Sequence, residues 1–107
     1  MRAVASAAAG LSCDEVCAAA GGAACVVDEM AAINSCAALG AAFPCAAGCT
    51  SSMGADQPAA VDARAPPEKA PGACLVNADT RLFSCAGTWE WARRLCPCAG
   101  GADAAEV

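Results

Sequence analysis

The chain has 107 residues, a formal net charge of −5 and 10 cysteines. Its hydrophobic share of 58% misleads, because most of those residues are Ala and Cys, and Leu, Ile, Val and Phe together number only 15. Burial of so few large side chains does not offset the conformational entropy of a folded chain. The composition therefore predicts one small module held together by disulfides. It excludes a two-domain enzyme and a membrane span of about 20 apolar residues.

Charge and residue types exclude further classes of protein. Six Lys and Arg stand against 11 Asp and Glu, a balance that repels phosphates and argues against a nucleic-acid partner. The chain has no His, so the commonest general base and metal ligand is missing. From the residues alone we assign no catalytic residue, no cofactor and no metal ligand.

The first segment, residues 1–11, is rich in Ala and has no periodic large apolar side chains. Arg2 followed by small residues resembles a signal peptide only weakly, because the apolar stretch is short and built from Ala. We expect a disordered or truncated lead-in. If the chain is the stub of a longer one, its targeting segment lies upstream.

Two helices are predicted next. Ser12 opens the first as the N-cap of a capping box with Glu15, and a pair of glycines ends it. The second begins at Asp28 and ends at Gly40. Its inner face is formed by Met30, Ile33, Cys36, Ala37 and Leu39.

The second half of the chain is predicted to be less regular. Residues 50–73 form a Pro-rich loop, because their four prolines block helix and central strand alike. Residues 74–76 are a short strand candidate, and residues 89–95 are predicted to form a short helix that ends before Pro97. Residues 99–107 form a frayed, acidic tail.

The fold class that follows is a small disulfide-rich domain of short α-helices and loops with little β-structure. Residues 12–98 form its single disulfide-stapled module. An even number of cysteines implies pairing, and pairing implies an oxidising compartment. We therefore expect the lumen of the secretory pathway, the cell surface or the extracellular space.

Cysteine spacing suggests how the two ends of the module meet. Cys13 and Cys17 lie one turn apart on a helix, and Cys96 and Cys98 point to the same side of an extended segment. Both pairs are separated by about 6–7 Å. The two matched pairs can form a double clasp that ties the first helix to the C-terminal segment. A bond between Cys96 and Cys98 is the alternative, and it closes a tight ring that is rarely unstrained.

Two longer motifs carry a family resemblance. They are Leu-Phe-Ser-Cys-Ala-Gly at 82–87 and Arg-Arg-Leu-Cys-Pro-Cys at 93–98, preceded by the opening C-x-x-x-C, Ile33-Asn34-Ser35 and Pro71-Gly72-x-Cys74. With these motifs the chain resembles the cysteine-rich C-terminal region of the N-acetylglucosaminyltransferase V family, the α-1,6-mannosylglycoprotein 6-β-N-acetylglucosaminyltransferases of glycosyltransferase family 18. The resemblance extends from residue 13 to residue 98.

The resemblance also implies a disulfide pairing. Two cysteines have no counterpart in the family pattern and are expected to pair with each other. The implied bonds are Cys13 with Cys96, Cys17 with Cys98, Cys25 with Cys85 and Cys45 with Cys74, and the remaining pair is Cys36 with Cys49.

The family enzymes are Golgi type II membrane proteins that transfer N-acetylglucosamine from its uridine diphosphate sugar to an α-1,6-linked mannose of N-glycans, without a metal. The resemblance implies a role in β-1,6 branching during protein N-glycosylation, with a glycosyltransferase catalytic domain or an N-glycan as partner. The family's donor-binding domains and catalytic carboxylate precede the cysteine-rich region. This chain has no glycine-rich phosphate loop and no αβ alternation, so we expect no catalysis by the chain alone.

Two other interpretations stay open. The chain is either a fragment of a longer transferase, or a secreted or surface binding module that reuses the framework for glycans. The candidate recognition residues are Trp89 and Trp91, whose rings suit the apolar face of a pyranose, and Arg93 and Arg94, which suit an anionic sugar or phosphate. The structural alternatives are simpler. The tryptophans would pack against the cystines, and at least one arginine would lie at a helix C-terminus, where a cation is favourable. Zinc and redox sites are disfavoured, because the chain has no C-x-x-C spacing.

Overall fold

A five-stranded sheet organises the fold in the computed structural model, which describes residues 1–100. The strand order is β1-β5-β3-β4-β2, and only β2 and β4 run parallel. The longest strand, β5, lies in the interior of the sheet between β1 and β3. The strands are β1 (Arg2–Ala5), β2 (Cys49–Ser52), β3 (Ala59–Val61), β4 (Cys74–Asn77) and β5 (Ala92–Cys98).

The helices are short, as predicted. The capping box of α1 (Cys13–Ala19) is confirmed: Ser12 Oγ accepts from Glu15 N at 3.1 Å, and Ser12 N donates to Glu15 Oε1 at 3.0 Å. Across residues 1–100, no helix has the length and apolar character needed to cross a bilayer. The remaining helices are α2 (Cys36–Ala42) and three 3-10 helices, Val27–Ile33, Pro67–Lys69 and Thr80–Leu82.

Alternation along β5 divides the core between the two faces of the sheet. On one face, Cys96 and Cys98 pack against Val16 and the two cysteines of α1. On the other face, Leu95 packs against Leu39 of α2 and the adjoining Phe43. Because successive side chains of a strand point to opposite sides, one strand supplies both halves of a core that has few large side chains.

Five disulfides connect these elements, and no cysteine is free. The structure has the Cys13–Cys96 and Cys17–Cys98 bonds of the clasp, with all four sulfur-bearing side chains fully buried. The clasp therefore fastens α1 to β5. The remaining bonds are Cys25–Cys85, Cys36–Cys49 and Cys45–Cys74, so the pairs in the structure are those that the family pattern and its two leftover cysteines imply.

The expectation of little β-structure underestimates the sheet, and the predicted helix over residues 89–95 is wrong. A turn closed by Ala92 N and Trp89 O at 2.9 Å leads directly into β5. Hydrogen-bonding partners on both sides, β1 and β3, stabilise the extended conformation. Such nonlocal pairing outweighs the weak helical preference of the segment.

The predicted loop over residues 50–73 contains more order than expected. It includes most of β2, a 3-10 helix at Pro67–Lys69 and β3, which is buried along its whole length between β4 and β5. The Ala-Ala-Val sequence of β3 carries no alternating apolar signal. The neighbouring strands, rather than local preference, therefore determine this element.

The predicted second helix is two elements rather than one. The 3-10 helix Val27–Ile33 ends at Asn34, and α2 begins after Ser35, whose Oγ accepts from Ala38 N at 3.1 Å. Asn34 leaves the helical path because its side-chain amide pairs with the backbone of Asn77, accepting at 2.8 Å and donating at 3.0 Å. The end of β4, far along the chain, thus interrupts the predicted helix.

The two ends of the chain also differ from simple expectation. Where a disordered or truncated lead-in is expected over residues 1–11, Arg2–Ala5 forms β1 and pairs with β5. Pairing with an open strand edge supplies the order that the Ala-rich sequence lacks. Of the predicted tail over residues 99–107, Ala99 N donates to Ala24 O at 2.8 Å, and residues 101–107 lie outside the described part of the chain.

Candidate functional site

The four predicted recognition residues do not form one site. Trp89 begins the turn before β5 and Trp91 lies within it, and Arg93 and Arg94 follow on opposite faces of that strand. Both tryptophans are half-buried and pack against the same small cluster, so they lie on one side of the module rather than on two sides of a helix. The cluster consists of Val61, Ala65 and Ala73.

Arg94 is part of the core, with an exposed fraction of 0%. Its Nη1 donates to Gly87 O at 2.9 Å and its Nη2 donates to Met30 Sδ at 3.7 Å, whereas Nε has no partner within residues 1–100. Burial lowers the pKa of this guanidinium, and the nearby carboxylates of Asp56 and Asp14 partly offset that effect. A side chain in this position holds the turn before β5 in place and is closed to ligands.

Arg93 lies at a surface groove of about 150 Å³. Its Nε donates to Ser6 O at 3.2 Å, and its guanidinium carbon lies 5.4 Å from the centre of the Phe43 ring. Nearby, Arg64 donates from Nε to Asp62 at 3.0 Å and so lowers the pKa of the Asp62 carboxyl. The groove offers one cation among mostly apolar walls, which suits a single weak anionic contact.

A second groove, of about 280 Å³, lies beside Trp89. It opens where the ends of β2 and β4 meet the loop at residues 53–57. It combines one indole ring with a carboxylate, an amide and a hydroxyl group, a set of side chains suited to a ligand that carries hydroxyl groups. This Trp89 groove is lined by Ser52, Met53, Asp56, Gln57, Leu75 and Trp89.

Asn77 positions the loop side of the Trp89 groove. Its buried side chain donates from Nδ2 to Gly54 O at 2.8 Å and to Gln57 O at 3.3 Å. Asn34 in turn pairs with the backbone of Asn77. The loop is thus fixed to the end of β4 by two hydrogen bonds, and the one to Gln57 O is buried and therefore costly to break.

Gly87 positions the Trp89 side of the groove, because it packs directly against the backbone of Ala55. A Cβ at Gly87 would overlap the carbonyl group of Ala55, with only 2.6 Å to the carbonyl carbon. The carbonyl of Gly87 also accepts the hydrogen bond from Arg94. The close approach of these two backbone segments therefore determines where Trp89 stands relative to the loop.

Gly87→Ala is expected to lower the free energy of unfolding by about 1–3 kcal/mol, because the backbone at Ala55 must shift to admit the methyl group. Gly40→Ala is the matched control: the site lies inside α2 with open space around it, and it should gain about 0.5–1 kcal/mol in helical preference. Urea unfolding of both variants measures the difference. Equal stability of the two variants would show that the contact at Gly87 is not tight.

Sequence reasoning missed five of the six residues that line the Trp89 groove. Four of them lie in the segment at 52–57, which was expected to belong to a loop, and Leu75 belongs to a predicted strand. No local pattern places that segment beside Trp89. The signal that comes closest is the Cys45–Cys74 bond, which brings the start of β4 towards β2.

One group of potential metal ligands occurs among the described residues: Asp14, Cys25 and Cys85 lie within 4.8 Å of one another. The two sulfurs are bonded to each other, so neither is a thiolate that could bind a cation. The cluster offers a single exposed carboxylate and does not form a metal centre.

The comparisons with known proteins bear on the whole module. No curated protein matches the chain. The model of Glycosyltransferase family 18 matches residues 1–98, a range that contains all ten cysteines and every residue of the Trp89 groove. Since this match covers nearly the entire sequence, the chain belongs to glycosyltransferase family 18.

Proposed function

We propose that this chain is a cysteine-rich module of an N-acetylglucosaminyltransferase V-like protein, that it serves β-1,6 branching of N-glycans, and that it braces a catalytic domain without transferring sugar itself. The observation that carries this proposal is the family match over residues 1–98. The five disulfides support a secretory or extracellular location. Within that pathway the family resemblance favours the Golgi lumen.

The rigidity of the module supports a bracing role. Arg2 of β1 is the register partner of Cys98 of β5, so the first and last strands of the module end side by side. The clasp of Cys13–Cys96 and Cys17–Cys98 fixes α1 against the same strand. A module fixed in this way presents a rigid surface to a catalytic domain that packs against it.

Neither of the two grooves that hold candidate recognition residues has the size of a nucleotide-sugar site. Those beside Arg93 and Trp89 measure about 150 and 280 Å³. Sites for drug-sized molecules usually measure about 300–1,000 Å³, and a nucleotide sugar is a ligand of that size. We therefore assign donor binding and catalysis to another domain.

A chimera tests the proposal. The catalytic domain of a family member is expressed with its own cysteine-rich region deleted, or with that region replaced by residues 1–98 of this chain. We expect the chimera to recover at least half of the parent's transfer of N-acetylglucosamine to a biantennary N-glycan, whereas the deletion loses nearly all of it, because the catalytic domain lacks its brace.

Two controls accompany the chimera. A chimera in which all four cysteines of the clasp are alanine should behave like the deletion. The isolated chain, given donor and acceptor, should form no product. A chimera as inactive as the deletion, or measurable turnover by the isolated chain, would overturn the proposal.

A further inference from the structure

We propose that the Trp89 groove is a binding site for one neutral pyranose ring of a glycan. The inference rests on the geometry of this groove and does not depend on the bracing role. It separates the two tryptophans: Trp89 contacts the sugar, whereas Trp91, which does not line the groove, packs against the module.

The volume of the groove limits the ligand. At about 280 Å³ it falls just below the range usual for drug-sized molecules. The groove is open at the surface, and Met53 at its rim is 68% exposed. A single ring that belongs to a longer chain fits such a site, because the neighbouring rings extend into solvent.

Trp89 supplies the apolar contact. Its half-buried ring packs against the Val61 cluster and lines the groove beside Leu75. Within residues 1–100, its indole N–H makes no hydrogen bond. An aromatic ring with an apolar body and an unused donor suits a ligand that has an apolar face rimmed by hydroxyl groups.

Two acceptor atoms define the polar side of the groove. Gln57 has an exposed fraction of 4%, and its Oε1 has no donor among the described residues; Oδ2 of Asp56 is likewise buried without one. Buried acceptors without donors are rare and costly. Both residues line the groove, and because neither oxygen is open to solvent as the side chains stand, each side chain must rotate toward the groove before a ligand hydroxyl can donate to it.

The same acceptors decide against an anionic ligand. A phosphate or a carboxylate offers further acceptors rather than donors, and it would face the Asp56 carboxylate in a chain of net charge −5. In the described part of the chain, none of the residues that line this groove is cationic, and Arg94, whose charge attracts Asp56, is fully buried and donates to Gly87 O. A neutral, hydroxyl-rich ring is therefore the ligand class that matches both the charge and the hydrogen-bonding capacity of the site.

Nuclear magnetic resonance of the 15N-labelled chain tests the proposal, because the two tryptophans give two indole N–H signals. N-acetylglucosamine, methyl α-mannoside and glucuronate are titrated separately, up to tens of millimolar. We expect at least one of the neutral sugars to shift the Trp89 signal in a saturable way, with little change in the Trp91 signal and no saturable change with glucuronate.

Variants make the test specific. Trp89→Ala should weaken binding, followed through the backbone amide signals of residues 52–57, by about tenfold or more, since it removes the aromatic contact, whereas Trp91→Phe should leave affinity unchanged. Gln57→Ala should weaken binding several-fold with the Trp89 ring in place. Intact disulfides, counted by mass spectrometry, show that each variant is folded. The proposal is overturned if neither neutral sugar shifts the Trp89 signal, if both indole signals shift equally, or if glucuronate binds more tightly than the neutral sugars.

Discussion

Replacing Cys13 and Cys96 together with alanine is expected to lower the free energy of unfolding by about 4 kcal/mol. The bond closes a loop across 83 residues, but the Cys17–Cys98 bond lies one helical turn away and shortens the loop that is actually released. The entropic loss is therefore only about 2–3 kcal/mol. Both side chains are fully buried, so their removal also leaves a void beneath α1, which supplies the rest.

Removing both bonds of the clasp is expected to unfold the protein at 25 °C. With Cys17–Cys98 also gone, the Cys25–Cys85 bond, which spans 60 residues, is the remaining disulfide between the segment after α1 and the segment before β5. The two bonds together contribute about 6 kcal/mol or more to the free energy of unfolding, and the voids left by the missing sulfurs add to this loss. That amount equals or exceeds the stability of many small domains. Loss of the cooperative transition in urea, followed by tryptophan fluorescence, is the expected observation.

The Cys36–Cys49 bond provides the control for the clasp. It spans only 13 residues and joins α2 to the edge strand β2, and Cys36 is exposed. Its replacement by two alanines is expected to lower the free energy of unfolding by about 2–3 kcal/mol, nearly all of it because the unfolded chain gains conformational freedom. If this variant is less stable than the one lacking Cys13–Cys96, burial of the clasp sulfurs does not contribute as argued here.

The clasp and α1 were predictable from the sequence because their signals are local. The Ser12 and Glu15 pair defines a helix start within four residues, and the spacing of Cys13 with Cys17 follows directly from the helical repeat. Cys96 and Cys98, which have a matching separation, can then form both disulfides once β5 lies beside α1. Which sulfur pairs with which came from the family resemblance rather than from spacing.

The sheet was not predictable because its strands depend on partners far along the chain. Ala5 of β1 pairs with Leu95, and Ala60 of β3 pairs with Cys74 and Arg93. Short Ala-rich segments have weak strand preference of their own. Their hydrogen bonds and burial exist only after the sheet has assembled, so inspection of one segment at a time finds loops in their place.

Only part of the candidate site could be predicted from the sequence, because the groove also depends on contacts between distant segments. The fit of an aromatic ring to a pyranose makes Trp89 a candidate from the sequence, but the groove exists only because Asn77 holds the loop at residues 53–57 and Gly87 packs on Ala55. Neither contact has a signature in the sequence. The two arginines illustrate the limit most clearly, since the sequence does not separate these adjacent identical residues, whereas the structure places Arg94 in the core and Arg93 at a surface groove.

Arg94→Ala is expected to lower the free energy of unfolding by about 3 kcal/mol or more. The fully buried side chain leaves a large void, and the Gly87 carbonyl loses its donor. Release of a buried charge whose Nε is unpaired offsets part of this loss. Arg94→Met refills most of the space without the charge, and it should therefore cost only about 1–2 kcal/mol, mainly for the unsatisfied carbonyl.

Arg93→Ala is the matched control, one residue away on the opposite face of β5. It removes the hydrogen bond to Ser6 O and the contact with the Phe43 ring from a half-buried position, which together are worth about 1 kcal/mol. Urea unfolding should rank the variants as Arg93→Ala, Arg94→Met, Arg94→Ala in decreasing stability. Equal losses for the two alanine variants would contradict the placement of Arg94 inside the core and of Arg93 at its half-buried margin.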